Sequence, residues 1–239
     1  MTTLVKIAIT LTLSLLLASC GFDFGPGEKG NGTITEQSRE VNNDFTTITA
    51  SEGLHVYVTQ ADDFKIKVEA DENIIDLIGT DIQNNTLKIY AIKNIGNATK
   101  NIYVSLPNIA GLKSSSGAQL KTETEINTPE LSIDASSGAF VSAIIVTDNI
   151  SLDASSGAHI TITGTAKNST VDASSGAYIN ASEFKTVTSN AQASSGANVN
   201  LNVAESLHAD ASSGGNISYS GKATLSSKKS VAGNISNID

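Results

Sequence analysis

The sequence predicts an all-β chain: a right-handed parallel β-helix, or β-solenoid, of short coils preceded by an irregular β portion. Three observations carry this. The tripeptide Ser-Ser-Gly recurs with its glycine at positions 117, 138, 157, 176, 196 and 214, at spacings of 21, 19, 19, 20 and 18. A fixed period of this length is the mark of a stacked repeat. Apolar and polar residues alternate around each copy with the period of two that strands require. Aromatic residues make up 5% of the 239 residues and Trp is absent, so the core is built from Ala, Val, Ile and Leu and suits a narrow fold.

The columns of the repeat behave as a stack demands. Seven positions past the start of each unit stand Leu120, Val141, Ile160, Ile179, Val199 and Ile217. Just before the start stand Leu112, Ile133, Leu152, Val171, Ala191 and Ala209, and just after it Ser114, Ala135, Ala154, Ala173, Ala193 and Ala211. These are inward columns. The column Gln119, Phe140, His159, Tyr178, Asn198, Asn216 is mixed in chemistry and is expected to face out. Each unit is too short for a strand–helix–strand crossover, so successive copies pair directly, in parallel, about 4.8 Å apart. The general preference for right-handed crossovers sets the expected hand.

Four parts follow from reading the chain in order. Residues 1–19 have the form of a secretory signal: Lys6, then an apolar run from Ile7 to Leu17 too short to span a bilayer with ease. Residues 20–40 are rich in Gly and polar side chains and read as a flexible tether. Residues 41–112 hold alternating segments at Phe45–Ala50, Leu54–Thr59, Phe64–Glu69, Leu87–Ile92 and Ile102–Leu106. One or two helical turns are expected within Asp71–Ile78, and a hairpin at Asn84-Asn85. This part begins the sheet system and caps one end of the stack. Residues 113–239 form the repetitive solenoid.

Charge narrows the function. The formal net charge is −9 and the sole arginine is Arg39, which argues against nucleic acid as a partner. The repeated Asp134, Asp153, Asp172 and Asp210 form the sharpest chemical column. Stacked carboxylates can gather calcium, whose ligands are carboxylate and carbonyl oxygens. The favoured alternative is an Asx-type turn, each Asp accepting from the amides of the following Ser and Gly, and no cofactor is expected. No serine sits in a Gly-x-Ser-x-Gly elbow, and His55, His159 and His208 are scattered, so no catalytic residues are assigned. Ice binding needs Thr rows in register, which Thr161 and Thr163 do not supply. Phe140, His159 and Tyr178 occupy one outward column on adjacent units and form a candidate ligand-contact strip.

Two resemblances add to this. Leu17-Ala18-Ser19-Cys20 resembles the lipobox of bacterial lipoproteins, which implies cleavage before Cys20 and its lipidation. The anchor would tie the chain to the cell envelope. Gly21 is not the acidic residue of the inner-membrane retention signal, which implies the outer membrane in a source that has one. The segments Phe45-Thr46-Thr47-Ile48, Leu54-His55-Val56-Tyr57-Val58, Leu87-Lys88-Ile89 and Ile102-Tyr103-Val104-Ser105-Leu106-Pro107, with the Ser-Gly-Ala repeats and Gly233-Asn234-Ile235, resemble the putative auto-transporter adhesin family (head GIN domain). That resemblance spans about Phe45 to Asn234. It implies a right-handed β-helix, often lipid-anchored, with a binding role at the surface toward glycan or extracellular protein. The expectation is therefore an envelope adhesin or scaffold without catalysis. The alternatives are a carbohydrate-active enzyme on the same fold and a purely structural envelope protein.

Overall fold

A computed structural model describes residues 25–229 and 232–239. The signal segment and Cys20 lie outside the described residues. What is described is all-β, apart from one 3-10 turn at Ile75–Leu77 where helix was expected.

The N-terminal portion contains β1 (Ile34–Arg39), β2 (Thr47–Ala50), β3 (His55–Gln60), β4 (Lys65–Asp71), β5 (Ile78–Gln83), β6 (Thr86–Ala91), β7 (Lys100–Leu106), β8 (Gly111–Ser114) and β9 (Gln119–Thr122). Then come the long strands β10 (Ile126–Ala135), β11 (Phe140–Ala154), β12 (His159–Ala173), β13 (Tyr178–Ala193) and β14 (Asn198–Ala211). The stack ends with β15 (Asn216–Ser220), β16 (Thr224–Lys229) and β17 (Asn234–Asn237).

All 17 strands join one continuous sheet that winds around a single apolar column. From β2 and β3 upward, stacking pairs are parallel and, apart from shifts in the β12–β13 and β13–β14 pairings, in register, so like residues sit on like: Ile133 beside Leu152, Leu152 beside Val171, Ala135 beside Ala154. Antiparallel pairing occurs at the base, where β4 pairs with β1 and β7, and β5 with β6. The base is therefore a mixed, nearly closed sheet and the rest a solenoid of about seven turns. The expected inward columns are buried, Leu112 to Ala209 and Leu120 to Ile217 alike. Residues 34–39, assigned to the tether by composition, instead form β1 on β4. Their side chains are mostly exposed, so the backbone ladder rather than an apolar face fixes them, and alternation could not reveal them.

Each coil turns twice. One corner is the Ser-Ser-Gly-Ala segment, and its geometry corrects the Asx-turn expectation. Ser137 and Gly138 both have positive φ, 52° and 69°, and Ala139 donates its N–H to Ser136 O at 3.1 Å. Two left-handed central residues closed in this way make a type I′ turn. The flanking amides go to the neighbouring coils, not to the Asp carboxylate: Ser136 N–H donates to Ser114 O and Gly138 N–H to Ser156 O. The same link climbs the stack from Gly53 to Ser116, Gly117 to Ser137, and on to Gly214 with Ala232. Small polar residues suit this corner because backbone bonds fill it.

The other corner shows as a switch in side-chain parity. In β11 the buried positions run Val141, Ala143, Ile145, Thr147, then Ile150, Leu152, Ala154. Two adjacent residues, Asp148 and Asn149, point away from the core there. Asn149, Asn168 and Thr188 hydrogen-bond one another across three coils at this corner.

Candidate functional site

The two corners divide each coil into two faces. One carries the Asp column, the other the aromatic column, so the structure does not bring the two candidate sets together.

On the first face the register runs Lys113, Asp134, Asp153, Asp172, Gln192, Asp210, Lys228. Burial, then the flanking Asp134 and Asp172 charges, push the Asp153 carboxyl above its ordinary 3.8. Gln192 interrupts the run, and lysines stand beyond both ends. Among the described residues no three or more His, Cys, Asp or Glu side chains are grouped to hold a metal ion. Since the raised pKa marks a charged form that the fold disfavours, this group's contribution to stability grows as pH falls through its raised pKa toward 3.8. Asp153→Asn is expected to stabilise the chain at pH 7 by a few tenths of a kcal/mol, the scale of a directly opposed like-charge pair. Thermal melts across pH check this, and a lower melting temperature at pH 7 would mean that the carboxylates share a cation.

The second face is a flat parallel sheet. Its first outward column runs Asn101, His55, Gln119, Phe140, His159, Tyr178, Asn198, Asn216, Asn234. Phe140 and His159 stack with centroids 5.0 Å apart at 17°, and His159 meets Tyr178 at 5.8 Å and 57°. Phe140 is 48% exposed. The Tyr178 hydroxyl accepts a hydrogen bond from Asn200 Nδ2 at 2.9 Å, which fixes the ring's outer edge. Register stacking alone holds the three rings in a row, because each follows its turn by the same number of residues.

The next outward column contributes Tyr103, Tyr57, Lys121, Ser142, Thr161, Asn180 and Asn200. Tyr57 and Tyr103 stack at 5.1 Å and 18°, with Lys67 Nζ 4.9 Å from the Tyr103 centroid. Lys121 is paired with Glu123 at 3.0 Å. Between the columns Gln119, Lys121, Ser142 and Thr161 join Phe140 and His159 around a shallow depression of about 300 Å3. The repeat could not show Tyr57, Tyr103 or His55 on this face, since they precede the first copy. The available signal was the alternation His55-Val56-Tyr57-Val58, which sets His55 and Tyr57 on one side. His55 shares the column of His159, and His208 lies on the other face beside Asn190. Burial and the nearby Lys100 charge hold the His55 imidazole below its ordinary 6.5.

A registered parallel stack with a flat sheet face of stacked, partly exposed rings defines a class by fold: a β-solenoid with an extended, regularly spaced surface. Residues 44–223 match the family described as "Putative auto-transporter adhesin, head GIN domain", and the chain belongs to that family. Solved structures share the fold. A putative adhesin from Bacteroides fragilis is 21% identical, with 89% of this chain and 100% of that one covered and a TM-score of 0.82. A putative adhesin from Parabacteroides merdae is 18% identical, with 89% and 99% covered and a TM-score of 0.73. A protein from Parabacteroides distasonis described as a putative lipid binding protein is 18% identical, with 89% and 99% covered and a TM-score of 0.71. No curated protein matches this chain.

Proposed function

We propose that this chain is a lipid-anchored cell-envelope protein, attached through Cys20, that binds glycan at its aromatic face and carries out no catalysis. The observation that carries the reading is the row Phe140–His159–Tyr178. Stacking on adjacent coils turns the ring faces toward one another and their apolar edges outward as a ribbed strip, and the Ser, Thr and Asn of the next column offer hydrogen bonds to hydroxyls. That combination suits a sugar chain, which has apolar ring faces and polar edges. The adhesin description of the family and of two matched structures supports a binder over an enzyme. Attachment rests on the lipobox, and Gly21 favours the outer membrane in a source that has one. Cys20→Ala is expected to move the protein from the membrane fraction to the soluble fraction of fractionated cells. For the binding site, a glycan array probed with the Cys20→Ser chain tests the reading. His159→Ala with Tyr178→Ala is expected to weaken a positive signal at least about tenfold, as loss of central contact residues does. Silence across the array would sink it, and unchanged binding by the double variant would move the site elsewhere.

A further inference from the structure

At the base of the aromatic face, where the 92–99 loop passes the turn Ser51–Leu54, lies a cleft of about 560 Å3. It is lined by Gly53 and Ser116 from the turn ladder, by Ile92 from the loop, and by Lys93 and Lys100. A Cβ placed on Gly53 would sit 3.4 Å from Lys100 Nζ, so the ammonium lies over the turn. The ion pairs among the described residues use Lys65, Lys67, Lys121 and Lys167. Lys93 and Lys100 have neither an ion pair nor a hydrogen bond there. Glu52 also lines the cleft, its carboxylate accepting the Ala91 N–H at 2.6 Å, so the lining sets two lysines against one acid.

Lys100 is half-buried, and burial draws its pKa below the ordinary 10.5. A partly desolvated ammonium without a partner is costly to the fold, and an anion placed beside it removes that cost. The chain as a whole is acidic, at −9, so two unpaired lysines in one cleft mark a local reversal of sign.

The cleft adjoins the aromatic row. Lys100 precedes Asn101, which is in register with His55, and the same column continues through Gln119 to Phe140. At one coil per 4.7–4.9 Å, Phe140 stands three coils, about 14 Å, from Asn101, the neighbour of Lys100. An elongated ligand can reach both.

We propose that the cleft and the row form one binding surface for an acidic glycan, with a uronate carboxylate held by Lys100 and Lys93 and the sugar chain lying across the outward ring edges of Phe140, His159 and Tyr178. This rests on the glycan reading of the row and names the class of glycan. Titration calorimetry with uronate oligosaccharides and their neutral methyl esters tests it, since the two forms share a backbone. The acid form is expected to bind at least tenfold more tightly, with an advantage that shrinks as salt is raised. Lys100→Gln is expected to abolish that advantage and leave ester binding unchanged, and Lys93→Gln to reduce it. His159→Ala with Tyr178→Ala is expected to weaken both forms together. Equal binding of acid and ester, full acid preference in Lys100→Gln, or an array positive for neutral glycans alone overturns this inference and leaves the row standing as a binding site. Silence from every glycan removes both readings.

Discussion

Phe184→Ala is expected to destabilise the protein by about 3–5 kcal/mol, the usual cost of emptying a buried phenylalanine site. Phe184 is 1% exposed and is one of the largest side chains in the solenoid interior. Its place follows from a mismatch in coil length. On one side, β13 carries an extra residue relative to β12, and the register slips after Thr161. On the other, β14 pairs Leu201 with Ala181 and the next residue, Asn202, with Lys185, so Ser182–Phe184 have no partner in β14. The bulge turns Phe184 inward, where its ring fills the space that the shorter coil leaves. Alanine there leaves a cavity beside the registered β12–β13 ladder, which cannot close over it without breaking hydrogen bonds. A fall in the thermal midpoint of roughly 10 °C follows for a chain of this size. A change of under about 1 kcal/mol by denaturant titration would show that the coil collapses around the gap.

Gly164→Ala is expected to cost about 3 kcal/mol or more, by crowding rather than by a cavity. Gly164 is in register with Ile145 on one side and Phe184 on the other. Its φ is +117°, and a Cβ there would stand 2.0 Å from Ile145 O. That oxygen is backbone in a parallel ladder, so relief requires parting β11 from β12. Left-handed strain adds to the clash. Gly138→Ala is the control. Gly138 also has positive φ, 69°, but no atom lies within 4 Å of its Cβ position. It carries conformational strain alone, about 1–2 kcal/mol. Equal losses from the two substitutions, measured by denaturant titration, would mean that the contact with Ile145 relaxes freely.

The solenoid was legible because its coils repeat in sequence as well as in space. Six Ser-Ser-Gly copies fixed the period, and the size of the residues in each column fixed which of them faced in. The aromatic row was legible for the same reason. The coils toward the two ends were not. Ser51-Glu52-Gly53-Leu54 makes the same turn, with φ of 59° at Glu52 and 67° at Gly53, yet shares only Ser and Gly with the repeat. Ala232 also has positive φ and receives the Gly214 N–H at the opposite end. Those turns depend on backbone conformation and neighbouring amides, which several residue types satisfy. The Asp column misled in the opposite direction. Its sequence suggested a turn built by side chains, whereas the turn closes through backbone bonds and the carboxylates stand outside it. The cleft at Lys100 was hidden because its residues come from three separated segments with no common pattern.

The order in which the coils stack differs from the order in which they are synthesised. The β2–β3 coil lies between the later β6–β7 and β8–β9 coils, with β2 paired to β6 and β8 and β3 paired to β7 and β9. A chain emerging from its N-terminus therefore holds residues 47–60 with one backbone edge unpaired until residue 106 has followed and the other until residue 122 has. The first coil made is the one that waits longest for its partners. Completion of the base is thus a checkpoint in time: any chain cut short before β9 carries open strand edges, and its fate is association with other chains rather than a smaller working solenoid.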